Sequence, residues 1–323
     1  MIILTGGAGF IGSCMLARLN ENGVTDVLVV DKLAHSEKWK NLNHKIFSDY
    51  EDKNKFIKAV EEHKDFGKIE GILHLGACSS TVEKNVDYLI ENNYRYSQIL
   101  AKWAVEKSIP FIYASSGATY GNGSQGFSDD KETTLQLTPL NPYAFSKHLF
   151  DLWIVRNKLD KKVTGLKFFN VYGPNEYHKG EMASVVYKAT QHVLIHGYIN
   201  LFKSNDRNFP DGEQKRDFIY VKDCTKMMWW FWEHPQIVGL YNIGSGTARS
   251  WNDLVNIIFR CLNMKTDIRY IDMPENIKSC YQNYTEADMN KFFNTDSPVN
   301  FHTLEQGVKD YLLNYLLTEN KYL

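Results

Sequence analysis

Ile2-Ile3-Leu4-Thr5-Gly6-Gly7-Ala8-Gly9-Phe10-Ile11-Gly12 is the stretch that decides the fold. A short apolar run reads as a buried strand, and Gly6, Gly9 and Gly12, three residues apart, read as a tight turn into a helix. Such a turn lets the backbone approach a pyrophosphate, which then sits on the unpaired N–H groups of the helix start. Gly-rich junctions also occur as plain turns, so the context decides. Val27-Leu28-Val29-Val30 supplies it: a second apolar strand ending on Asp31, where an acid accepts from the adenosine ribose hydroxyls. Asp31 alone favours NAD, because it repels a 2′-phosphate. Lys32, Lys38 and Lys40 follow closely and offset that repulsion, which favours NADP and leaves NAD as the alternative. Their bland reading is a solvated loop.

Outward from this unit, apolar strands alternate with helical patterns through the first half. Helices are expected near 52–64 and 87–107, and strands at 71–75, 111–115 and 163–169. Asn141 and Pro142 suit the N-cap and first position of a helix that carries Tyr143. The alternation predicts an α/β fold, a doubly wound parallel (Rossmann) sheet with its ligand over the strands' carboxyl ends. Gly76-Ala77-Cys78-Ser79-Ser80, Ser115-Ser116 and Phe169-Asn170-Val171 all fall at such ends. The second half has another rhythm: a helix near 182–197, a polar segment at 203–215, a strand at 216–221 and a helix holding Met227-Met228-Trp229-Trp230-Phe231-Trp232. That aromatic stripe reads as core or subunit contact. A strand near 240–243 and a helix from Ser250 follow, with no repeat or linker anywhere. Residues 1–170 are therefore expected as the NADP-binding domain, joined by parts of 216–243. Residues 171–323 are expected as a smaller, interleaved α/β substrate domain.

Lys and Arg number 37 against 38 Asp and Glu, a net charge of -1. No basic field of the kind nucleic-acid binders need arises from that balance. Cys14, Cys78, Cys224, Cys261 and Cys280 are scattered, with no pair at metal spacing. They read as reduced thiols of a cytosolic protein without a metal site. No apolar run approaches the roughly 20 residues of a membrane helix, and the opening strand is expected to leave no room for a signal peptide.

Tyr143-Ala144-Phe145-Ser146-Lys147 puts a phenol and an ammonium one helical turn apart on one face. A secondary alcohol is a poor hydride donor until its proton leaves, and free tyrosine has a pKa of about 10. Lowering it by about 3 units needs roughly 4 kcal/mol of differential stabilisation. Lys147 and a positive nicotinamide ring are the expected sources. Lys147 is also expected to hold the nicotinamide ribose, and Ser116 to hydrogen-bond the same substrate oxygen. A Tyr–Lys pair at this spacing is common by chance. Together with the glycine turn, in this order, it points to a nicotinamide dinucleotide and proton transfer at an alcohol carbon.

With these segments on the page, the chain resembles the extended short-chain dehydrogenase/reductases that act on nucleotide sugars. More narrowly, it is similar to the ADP-L-glycero-D-manno-heptose 6-epimerase family. The most specific pieces are Gly76-Ala77-Cys78-Ser79-Ser80-Thr81, Phe169-Asn170-Val171-Tyr172-Gly173-Pro174-Asn175-Glu176, His178-Lys179-Gly180-Glu181-Met182-Ala183-Ser184 and Lys215-Arg216-Asp217-Phe218. Tyr281-Gln282 and Thr285-Glu286-Ala287-Asp288 extend the match towards the C-terminus. A dehydratase of the superfamily is expected to carry Thr-Asp-Glu after the serine. Gly117-Ala118-Thr119 stands there instead.

The resemblance implies NADP-dependent epimerisation at C6 of an ADP-D-glycero-heptose through a transient 6-ketone, supplying heptose for the lipopolysaccharide core. It implies a cytoplasmic homo-oligomer. Tyr143, Lys147, Ser116 and a second acid/base, Lys179, would carry the chemistry. Phe10, Ile11, Asp31, Lys32, Lys38, Lys53, Leu75, Gly76, Ala77, Cys78, Ser79, Asn92 and Val171 would hold the cofactor. Asn170, Glu181, Lys188, Phe202, Lys203, Ser204, Asn205, Arg216 and Tyr281 would hold the substrate, with Arg216 on the pyrophosphate. Departures fall on the substrate side: family members often have serine at Glu181 and histidine at Lys188, and Ser279-Cys280 replaces a more usual Gly-Arg. The alternatives are another nucleotide-sugar epimerase or reductase, such as a 4-epimerase, and a non-catalytic NAD(P) sensor. Sensors usually lose the tyrosine.

Overall fold

The computed structural model describes residues 1–278 and 281–323. Its strands in chain order are β1 Ile2–Thr5, β2 Val27–Asp31, β3 Asp49–Asp52, β4 Gly71–His74, β5 Phe111–Ser116, β6 Thr164–Phe168, β7 Asn170–Tyr172, β8 Ile199–Phe202, β9 Lys215–Tyr220, β10 Gly239–Ile243, β11 Ala248–Ser250 and β12 Ile268–Ile271. Seven of them form one sheet, in the order β10-β6-β5-β4-β1-β2-β3. Every neighbouring pair in it is parallel. A parallel sheet needs cover on both faces, and β1, β2, β4 and β10 are accordingly buried along their whole length.

Helices Phe10–Glu21 and Val221–Glu233 cover one face with Met15, Leu16, Leu19, Met227, Met228 and Phe231. Helices Lys53–Glu61, Tyr96–Glu106 and Pro142–Arg156 cover the other with Phe56, Leu100, Trp103, Phe150 and Ile154. Each such buried side chain contributes about 2 kcal/mol. The aromatic stripe is therefore core: Met227, Met228 and Phe231 are fully buried, and the tryptophans beside them pack partly buried against the same cluster.

The strand order reverses between β1 and β4, which opens a crevice at their carboxyl ends. Gly6 turns there with φ +69°, and a Cβ on it would lie 2.6 Å from the Gly76 nitrogen. A Cβ on Gly12 would lie 2.0 Å from the Gly6 carbonyl oxygen. Only glycine fits either place. The helix that follows is capped by Gly9, which offers no side-chain cap, so its first N–H groups stay free for an anion. The cradle fits a dinucleotide pyrophosphate.

Two expectations change. The long helix expected near 87–107 is broken by a wide π turn at Ile90–Arg95 between Val86–Leu89 and Tyr96–Glu106. Such turns re-aim side chains; here Asn93 grips the Cys78 backbone, accepting from its N–H at 2.8 Å and donating to its carbonyl at 2.9 Å. The strand expected at 216–221 is β9, and it lies in a three-stranded sheet between β7 and β11 rather than in the large one. β8 and β12 pair by themselves. Helices Val185–His196, Trp251–Cys261 and Leu304–Tyr311 close a second core around Val193, Leu254, Ile258 and Tyr311. Among the described residues no helix is long and apolar enough to cross a membrane.

Candidate active site

The Tyr143 helix starts where its sequence dictates: Asn141 Oδ1 accepts the Ala144 N–H at 2.9 Å, and Pro142 holds the first helical position. One turn on, the buried Lys147 donates from Nζ to the Ala114 carbonyl at 2.8 Å, tying the helix to β5. Asp151, a further turn along, pairs with Lys167 at 3.0 Å with both side chains sealed from solvent. It also accepts from Ser115 Oγ at 2.6 Å and from the Tyr113 hydroxyl at 3.0 Å. The helix is thus fixed to β5 and β6 by four contacts, and Tyr143 comes to lie beside Ser116 at the end of β5.

Burial pushes the Tyr143 phenol up, while the Ser116 hydroxyl pulls it down. The expected depression by Lys147 is not what the protein alone provides. Desolvation of the phenolate outweighs the other influences, and burial drives Lys147 itself down to about 8. A phenol protonated at neutral pH is a ready acid towards a ketone, and it needs further positive charge to act as a base.

Two clefts meet at this point. The first, about 610 Å³, runs from Asp31 and Lys38 over the glycine turn and Leu75 to Ser80, and on to Tyr143, Lys147 and Lys179. The second, about 770 Å³, leads from Tyr143 past Thr81 to Lys84 and reaches Arg216 and Tyr281. Ser116, Tyr143, Phe168, Phe169 and Asn170 line both. A long ligand in each would place its reacting end against Tyr143.

At the far end of the first cleft, Asp31 accepts the Ala8 N–H at 2.9 Å and the Lys38 ammonium at 2.6 Å. Lys38 thus neutralises the acid that would repel a 2′-phosphate. Lys32 is exposed next to it, its N–H donating to Asp31. Val171 lines the cleft, but Lys53 and Asn92 do not: they hydrogen-bond to each other, and Asn92 donates to Asn93 at 2.8 Å, so they support the Cys78 turn from behind. Cys14, Cys78, Cys224 and Cys261 carry free thiols, and Cys280 lies outside the described residues.

Lys179 reaches the first cleft from the loop after β7. Glu176, fully buried, accepts from the Gly173 N–H at 3.2 Å, the Ser184 hydroxyl at 2.7 Å and the Ser184 N–H, and so closes the loop on itself. The Lys179 ammonium stands 5.4 Å from the Phe10 ring centre, beside the glycine turn. Burial lowers its pKa and Glu176 opposes that.

Arg216 is 6% exposed, and no carboxylate pairs with it among the described residues. Its guanidinium lies 5.0 Å from the Tyr281 ring centre and 5.5 Å from that of Trp251, whose indole N–H donates to the Tyr281 hydroxyl at 2.9 Å. Asp217 beside it accepts four hydrogen bonds from Ser245, Gly246 and Ala287 and pins those turns to β9. A buried, unpaired guanidinium is costly alone and suits a phosphate.

Other substrate-side residues stay out of both clefts. Glu181 and Lys188 are exposed, the Lys188 ammonium donating to the Glu181 carbonyl at 3.0 Å. Phe202 ends β8 and Lys203 to Asn205 follow it; Lys203 pairs with Asp272 at 3.0 Å. The departure at Ser279-Cys280 lies outside the described residues. Phe169, Met182, His178 and Trp251 line the clefts, and no local pattern singles out Trp251. Only the fold brings it to Arg216.

The description "NAD dependent epimerase/dehydratase family" belongs to a sequence profile that matches residues 2–244. The chain belongs to that family. The family's description makes a nicotinamide dinucleotide its cofactor class. This epimerase-family chain is 49% identical over 323 residues, all of both chains, to a protein of Nitratidesulfovibrio vulgaris (strain DP4) named ADP-L-glycero-D-manno-heptose-6-epimerase. A protein of the same name from Fusobacterium nucleatum subsp. nucleatum is 44% identical over 332 residues, again covering all of both. The crystal structure of Helicobacter pylori ADP-L-glycero-D-manno-heptose-6-epimerase superposes with a TM-score of 0.80 at 29% identity, covering 97% of this chain and 95% of that one. Thermotoga maritima UDP-glucose 4-epimerase gives 0.78 at 26% identity, over 96% and 97%. The resemblance and the Rossmann-type fold read from the sequence are borne out.

Proposed function

We propose that the chain is an NADP-dependent epimerase that inverts C6 of ADP-D-glycero-D-manno-heptose through a 6-ketone. The observation that carries this is the shared cleft: Tyr143 with Lys147, and Lys179 from a separate loop, line one space that opens towards the unpaired Arg216. Residues 1–170 with the return through 221–243 serve the cofactor, and most of the remainder serves the sugar nucleotide. The free thiols of Cys14, Cys78, Cys224 and Cys261 suit a cytosolic protein.

Arg216 would grip the pyrophosphate bidentately, with Tyr281 and Trp251 stacked on its faces. That fixes the ADP at the far end of the second cleft and leaves the heptose C6 near Tyr143. Tyr143 takes the hydroxyl proton while Ser116 hydrogen-bonds the same oxygen and Lys147 holds the ribose. Held by the glycine turn, Asp31 and Lys147, the cofactor would supply reversible hydride transfer and a cationic ring that favours the phenolate. Rotation about C5–C6 at the ketone stage presents the other face to hydride return, and Lys179 protonates the oxygen in its new position. Two proton carriers are needed because the alcohol oxygen occupies two places. Burial has lowered both lysine pKa values, which makes proton exchange near neutrality easier.

Incubating the purified protein with ADP-D-glycero-D-manno-heptose should give an equilibrium mixture of C6 epimers by NMR, without net consumption of cofactor. An unchanged heptose beside an inverted C4 in a UDP-hexose would replace this reading with a 4-epimerase. The cofactor released on denaturation should be NADP by mass. Lys38→Ala should weaken NADP binding at least tenfold, as expected for a hydrogen bond to a charged group, and leave NAD within twofold. Recovery of NAD alone would refute the 2′-phosphate reading of Lys38.

A further inference from the structure

The loop that carries Lys179 is held in front by Glu176. Behind it, away from both clefts, lies the segment 321–323. The Tyr177 hydroxyl donates to the Lys321 carbonyl at 2.5 Å, and the Leu323 N–H donates to Asn175 Oδ1 at 2.9 Å. The Lys45 ammonium donates to the Leu323 backbone oxygen. Tyr322 meets the Tyr177 ring edge-on at 5.4 Å, and the Lys321 ammonium stands 5.2 Å from the centre of the same ring.

Asn175 is fully buried in the left-handed region, at φ +75°. Its side-chain amide donates to Ser13 Oγ at 2.9 Å, and its carbonyl accepts from Asn41 at 3.0 Å. Such a conformation persists where the surroundings over-determine it, and segment 321–323 supplies one of those constraints. Tyr177 is two residues from Lys179 and also packs on Tyr187 and Tyr311. The turn at 177–182 is a single short 3-10 stretch broken at Gly180, so its placement comes from what grips it rather than from its own hydrogen bonds.

We propose that residues 321–323 are a strap that positions Lys179, acting through Tyr177 and Asn175. No residue of the strap lines either cleft, so its effect on the reaction passes through the loop. A catalytic ammonium that drifts by about 1 Å can lose about a hundredfold in rate. The strap therefore matters for the step that needs Lys179, and not for the one that needs Tyr143. This inference rests on the reading of Lys179 as the second proton carrier.

The test replaces the strap in the full chain (Lys321→Gly, Tyr322→Ser and Leu323→Gly together) and, separately, makes Tyr322→Phe, Tyr322→Ala and Lys179→Met. Epimerisation of ADP-D-glycero-D-manno-heptose is measured beside dismutation of a 6-aldehyde analogue lacking the terminal carbon, which needs hydride transfer but no new stereocentre. The replaced strap should lower kcat for epimerisation at least tenfold, with KM within twofold of wild type and dismutation falling no further than it does in Lys179→Met. Tyr322→Phe keeps the edge-on ring and should keep the rate, whereas Tyr322→Ala should lose it. A parallel fall of both activities would show a general packing role and overturn the proposal, as would no change in either. If Lys179→Met leaves epimerisation intact, the second-base reading is what has failed, and the strap loses its role with it.

Discussion

Tyr143→Phe should cut epimerisation by about 10³-fold, about 4 kcal/mol of transition-state stabilisation, while NADP stays bound. The ring is kept and only the hydroxyl is lost, so the packing of a side chain that is 9% exposed hardly changes. Asn141, Pro142 and the Lys147 contact to Ala114 would hold the helix as before. Folding is not the variable. Ser116 would lose its phenol partner and keep its hydrogen bond from the Ala118 N–H at 3.1 Å. Stopped turnover with cofactor still released on denaturation supports the assignment; wild-type turnover would remove Tyr143 from the chemistry. Some dismutation of the 6-aldehyde analogue should survive in this variant, through Lys179.

Lys179→Met should abolish epimerisation from either epimer alike, since a catalyst cannot alter one direction of an equilibrium alone. Methionine keeps the length and apolar stem over Phe10 while deleting the ammonium, which stands 5.4 Å from that ring centre. Partial dismutation should remain through Tyr143, and the double variant Tyr143→Phe, Lys179→Met should lose nearly all of it. Full epimerisation by Lys179→Met would mean that one proton carrier suffices, as when a sugar swings within its pocket. A raised KM with normal kcat at saturation would instead make Lys179 a phosphate or sugar contact.

The glycine turn, Asp31 and the Tyr143 helix were legible because each is local. Gly12 is demanded by a contact of 2.0 Å with the Gly6 carbonyl oxygen inside one strand–turn–helix unit, and Asn141 caps the helix that starts beside it; the second demand on Gly6, 2.6 Å from the Gly76 nitrogen, comes from the neighbouring strand end. Lys179 was legible only through resemblance, since a lysine in a loop carries no local signal. Its site is made by Glu176 closing on Ser184, and by the strap behind.

The sequence by itself determined the parallel sheet, the dinucleotide crevice and the Tyr143–Lys147 pair, because hydrophobic period, turn chemistry and one-turn helical spacing are properties of neighbours along the chain. Tertiary structure decided the rest. It seated Lys38 on Asp31, brought Trp251 and Tyr281 onto Arg216, and took Phe202 to Asn205 away from the clefts by pairing β8 with β12. It also raised the Tyr143 phenol, chiefly by burial, where the one-turn spacing to Lys147 had led to the expectation of a lowered one, since desolvation depends on what surrounds a side chain. Those surroundings come from residues far apart in the chain, so no local pattern encodes them.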